Sequence, residues 1–76
     1  PYYKETVENP DWSFTAHQLD SKVLLTLINL DDAKPVTFGI NINNAKVLSL
    51  QNVTLQSKNH WCVEPGEIGF VELDKS

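Results

Sequence analysis

Arginine and methionine are both missing from this chain of 76 residues, and cysteine occurs once. Without arginine every cation is a lysine, and Lys4, Lys22, Lys34, Lys46, Lys58 and Lys75 are scattered rather than clustered. Arginine is the side chain that reads phosphate and guanine edges through a planar fork, and dispersed lysines form no basic stripe in its place. With a net charge of −4 as well, nucleic acid is not an expected partner. The lone Cys62 cannot form a disulfide within the chain, and between Trp61 and Val63 it reads as a small buried hydrophobe. His17, His60 and Cys62 are the only soft ligands, too few for a structural zinc site, which takes about four. No metal and no cofactor is expected. There is no glycine-rich phosphate loop and no nucleophile motif. No apolar run approaches the roughly 18 residues that a membrane-spanning helix needs, so no membrane is expected, and no signal-peptide pattern opens the chain. The first residue is Pro1, which suggests an excised or processed domain. The compartment stays open, with an extracellular or periplasmic setting as the expectation.

What is present is alternation. The stretch Lys22–Ile42, KVLLTLINLDDAKPVTFGINI, reads as two adjacent strands, 23–30 and 35–42, joined by the polar turn Asp31-Asp32-Ala33-Lys34. In the second strand Val36, Phe38, Ile40 and Ile42 alternate with Thr37, Gly39 and Asn41, the period of a sheet with one buried face. The first strand is apolar on both sides, Val23, Leu25 and Leu27 against Leu24, Ile28 and Leu30. That pattern predicts a central strand covered above and below.

The remainder fits around this stretch. Residues 1–10, PYYKETVENP, have no sustained period and read as a linker or an edge segment. Trp12, Phe14 and Ala16 alternate with Ser13, Thr15 and His17, predicting a strand over 11–18, and Leu19-Asp20-Ser21-Lys22 turns the chain. Asn43-Asn44 tolerates the left-handed backbone of a tight turn. Strands are expected at 45–50 and 52–56, or as one long strand bent near 49–52, and then at 60–64 and 67–73, with a turn at Ser57-Lys58-Asn59 and another at Pro65-Gly66. In the last strand Ile68 and Phe70 fall on one side and Val71 and Leu73 on the other, so a bulge near Gly69 or Phe70 would bring them together. About six to eight short strands, with turn signals roughly every eight to twelve residues, predict an all-β fold, a small antiparallel sandwich or barrel spanning 11–76.

Few residues invite chemistry. Asp31, Asp32, Glu64 and Glu67 suggest the carboxylate pair of a glycosidase, but all fall at turns, and a chain this short has little room for the deep cleft that shifts a pKa. No catalytic residue is therefore expected. Trp12, Trp61 and Tyr3 are the candidates for stacking on a sugar ring, although both tryptophans are in phase with apolar neighbours and so also fit a core. Asn52-Val53-Thr54 matches the N-glycosylation acceptor pattern, which matters only in a secreted eukaryotic protein.

Three segments carry a resemblance. LTLINLDDAKPVTFGI resembles the strand, turn and strand of the small C-terminal β-domains of glycoside hydrolases, in arabinofuranosidase-like and amylase-like enzymes, where a V-N-L-D…K-P-V pattern is frequent. AKVLSLQNVTL is similar to the pair of strands that follows, and VEPGEIGFVELDKS to the closing strand. The H-N-T-F segment that arabinofuranosidases place in this domain is absent, and Lys58-Asn59-His60-Trp61 stands at the nearest point. The resemblance implies an immunoglobulin-like or amylase-C-like sandwich with a preceding catalytic domain as its partner. It also implies a non-catalytic accessory role, since the catalytic acids of such enzymes belong to the preceding barrel. Two other functions fit the same pattern, a carbohydrate-binding module using exposed Trp or Tyr, and an immunoglobulin-like or fibronectin-like interaction module that offers an edge strand.

Overall fold

A computed structural model describes residues 11–75. The segment 1–10, and Tyr3 with it, lies outside the described residues. Among the described residues seven strands form: β1 Trp12–Leu19, β2 Lys22–Asn29, β3 Val36–Gly39, β4 Lys46–Gln51, β5 Thr54–Ser57, β6 His60–Val63 and β7 Ile68–Asp74. They make two antiparallel sheets, one of four strands in the order β1-β2-β7-β4 and one of three in the order β3-β6-β5. The fold is an all-β sandwich. β2 does occupy the middle of its sheet, between β1 and β7.

Alternation decides which side of each strand faces the other sheet. Val23, Leu25 and Leu27 of β2, Val71 and Leu73 of β7, Phe38 of β3, and Trp61 and Val63 of β6 form one buried cluster. Ile40 and Ile42 complete it from the connection after β3. The alternation of residues 36–42 thus continues past the last laddered residue, Gly39, because buried side chains need the period and not the hydrogen bonds. Each fully buried aliphatic side chain contributes on the order of 1.5–3 kcal/mol.

Three expectations are corrected. First, β2 and β3 follow one another in the chain but do not pair: β3 belongs to the other sheet, against β6. Asn29 diverts the chain. It is buried at the end of β2, where its Nδ2 donates to the carbonyls of Lys34 (2.9 Å) and Val63 (3.0 Å) and its Oδ1 accepts from the amide of Asp31 (2.8 Å). Asp31 Oδ1 in turn accepts from the amides of Ala33 (2.8 Å) and Lys34 (3.2 Å), a tight Asx turn. The connection is thereby tied to β6 and crosses between layers. Second, among the described residues β2 is covered on one side only, since Leu24 on its other side is exposed and Ile28 is half-buried, and Leu30, past the end of β2, is exposed too. Third, β7 runs in unbroken register with β2, with no bulge at Gly69 or Phe70. The irregularity is in its neighbour β4, between Val47 and Ser49, and Ile68 and Phe70 stay on the outer side.

Turn chemistry follows the residues. The four non-glycine residues with left-handed backbone, Asp20, Asn44, Asn52 and Asn59, have φ between 57° and 64° and are all Asp or Asn, the types that tolerate it best. Glu64-Pro65-Gly66-Glu67 closes with Glu67 N donating to Glu64 O at 3.1 Å and with Gly66 at φ 71°. Proline second and glycine third is the pattern of a type II turn. Gly66 N also donates to Asp31 O at 3.0 Å, so the two connections at that end of the sandwich hold each other.

Candidate functional site

Trp61 is the largest fully buried side chain, 1% exposed, and points between the sheets. No face of its indole is open to a sugar ring. Its Nε1 has no hydrogen-bond partner. Trp12 is half-buried and belongs to a cluster of rings: it stacks on Phe14 (centroids 6.2 Å) and meets Phe38 edge-on (5.6 Å), while Phe14 also meets Phe38 edge-on (6.5 Å). These three rings join β1 to β3 and seal that side of the sandwich. Such pairs contribute about 0.5–1.5 kcal/mol each beyond the area they bury. The two tryptophans therefore do not form a common platform.

The remaining candidates are dispersed. His17 is an exposed residue of β1, while His60 and Cys62 lie on β6 in the other sheet. His60 and Cys62 share the outward side of β6, two residues apart, but among the described residues no three of His, Cys, Asp and Glu gather into a metal-holding group. Cys62 is buried although it points away from the core. Thr37 Oγ1 of β3 donates to Gln56 Oε1 of β5 at 3.1 Å, a bond that spans β6 between its two neighbours. The carboxylates likewise serve turns. Asp31 caps its own loop, Asp32 is exposed, and Glu64 and Glu67 flank Pro65-Gly66.

Among the described residues, surface hollows with polar linings include two. One, of about 500 Å³, is lined by Asn52, Thr54, Cys62, Glu64 and Glu67 among others. It contains the Asn52-Val53-Thr54 triplet, whose Asn52 is exposed and donates through Nδ2 to Ile68 O at 3.3 Å. The other, of about 230 Å³, lies between the end of β3 and the β5–β6 turn and is lined by Gly39, Asn41, Lys58, Asn59 and His60. Its polar groups are largely engaged with each other. Asn59 Nδ2 donates to Asn41 Oδ1 (3.3 Å), Ile40 N donates to Asn59 O (2.9 Å), and His60 Nδ1 lies 2.9 Å from Lys58 O. The arrangement laces β3 to the hairpin, a structural use of the same groups that would otherwise hold a ligand.

Sequence reasoning missed the outer face of the four-stranded sheet. The register sets Ile28 beside Ile68, Thr26 beside Phe70 and Leu24 beside Glu72. Leu24 and Ile68 are 42% and 47% exposed, and Ile28 and Phe70 are half-buried. Flanking them are Ser13, Thr15 and His17 on β1, and Ser49 and Gln51 on β4. Ser49 Oγ donates to Glu72 Oε1 at 3.2 Å. An apolar strip thus runs across β2 and β7, flanked mainly by polar residues of β1 and β4, although those strands also carry the exposed Leu19 and Leu48. The same apolar side of β2 is legible in the sequence, where it fits a buried face as well as an exposed one.

Comparisons with protein-family models, with characterised proteins and with solved structures found no match to this chain.

Proposed function

We propose that this chain is a non-catalytic accessory β-domain of a carbohydrate-active enzyme, a glycoside hydrolase, packing against the catalytic domain of the same polypeptide and stabilising it. The observation that carries the packing role is the apolar strip of Leu24, Ile28, Ile68 and Phe70 on the outer side of the four-stranded sheet. Exposed apolar residues gathered on one face of a sheet mark a surface that another surface can cover. Domains within one chain meet over roughly 600–1,500 Å² in total, and the tether lets so modest a contact persist. The link to glycoside hydrolases rests on the strand and turn resemblance of Lys22–Leu73. A sugar-binding role through Trp61 is disfavoured by its burial. Strand addition at β4 or β5 is disfavoured too, because each carries a register irregularity, a common guard on an edge.

The test uses the complete reading frame that encodes this chain, beside the 76-residue chain itself. Leu24→Lys and Ile68→Lys, both at exposed positions, should shift the stability of the separate chain by less than about 1 kcal/mol, as surface substitutions do. In the complete polypeptide they should release the domain, seen as faster proteolysis at its boundary and a separate unfolding transition. An unchanged proteolysis pattern, glycoside hydrolysis by the separate chain, or a reading frame with no catalytic domain would each overturn the proposal.

A further inference from the structure

We draw no further inference here: the strongest candidate, the open seam between the edge strands β4 and β5, where inward-facing Val47, Leu50 and Leu55 stay 38–48% exposed, is an apolar edge with nothing in the structure to show what covers it.

Discussion

Replacing Asn29 by alanine should be among the most damaging single changes at a polar position. The side chain is 2% exposed and makes three bonds, to Lys34 O, Val63 O and Asp31 N. The bond to Val63 O is fully buried, whereas those to Lys34 and Asp31 are part-buried and water can replace them. Orphaning the buried carbonyl costs about 1–3 kcal/mol and each of the others about 1 kcal/mol, so the total is about 3–5 kcal/mol. At about 0.05–0.15 kcal/mol per residue, a 76-residue domain has about 4–11 kcal/mol of stability in all. Asn29→Ala should therefore lower the urea midpoint severely with the slope m unchanged, and should lower Tm by roughly 4–8 °C per kcal/mol. Circular dichroism near 218 nm and tryptophan fluorescence should report coincident transitions. A loss below about 1 kcal/mol would refute the view that this side chain holds the crossing between the sheets.

Asn29→Asp sharpens the test, because it keeps the size and the acceptor for Asp31 N but turns the donor into a second acceptor facing two carbonyl oxygens. An ionised carboxylate there is buried and repelled, so its folded-state pKa rises above the unfolded value of about 3.9. The sign follows directly. The folded state binds the proton more tightly, so the variant is most stable relative to wild type below about pH 4 and loses that advantage as pH rises through the folded-state pKa. A stability difference between Asn29→Asp and wild type that is flat from pH 3 to pH 8 would count against the assigned donor direction.

Gly69 faces inward on β7, and a Cβ there would overlap the Val53 side chain and meet Val63 Cγ2 at 3.2 Å. Gly69→Ala should cost about 1–3 kcal/mol, and Val53→Ala should relieve part of it, giving a coupling of at least about 0.5 kcal/mol in a double-mutant cycle by urea denaturation. Gly66→Ala meets no neighbour but puts a side chain at φ 71°, and should cost about 1 kcal/mol through backbone strain alone. Phe38→Ala, at the junction of the three rings, should cost about 3–5 kcal/mol, and Leu50→Ala on the open side of the sandwich no more than about 2 kcal/mol. Equal losses in thermal unfolding would deny the asymmetry between the two sides.

Strand placement was legible because alternation is a local property. Trp12, Phe14 and Ala16, then Phe38, Ile40 and Ile42, announce a buried side whatever they pair with. Turns were legible for the same reason: Asp20, Asn44, Asn59 and Gly66 each supply a backbone conformation that few other residues accept. Pairing was not, since a polar turn between two strands is compatible with a hairpin and with a crossing between sheets. The deciding residue, Asn29, reads in isolation as one more polar residue of Ile28-Asn29-Leu30. Its partners Lys34 and Val63 lie 5 and 34 positions away, and only the folded chain brings them together. The apolar outer side of β2 misled in the opposite direction. Two apolar sides are what a covered strand needs, but a strand can also carry them with one side exposed, as Leu24 is here.

The two sides of this sandwich therefore stand in different energetic positions. Where β1 meets β3, Trp12, Phe14 and Phe38 fill the gap between sheets with rings in contact. Where β4 and β5 end their sheets, Val47, Leu50 and Leu55 follow the inward register opposite Leu73, Val71 and Trp61 yet keep more than a third of their surface in water. Apolar area left in water contributes nothing to the roughly 25 cal/mol per Å² that burial yields, so this half of the core adds less than its residues suggest. A small domain has little surplus from which to absorb such a shortfall. For an accessory domain the consequence is specific: a surface that covers the apolar strip binds the folded state and not the unfolded one, and so raises its apparent stability by linkage. Under the proposed role, the domain's stability in the complete polypeptide depends on that contact while the stability of the separate chain does not, so Ile68→Lys should lower the first and leave the second nearly unchanged.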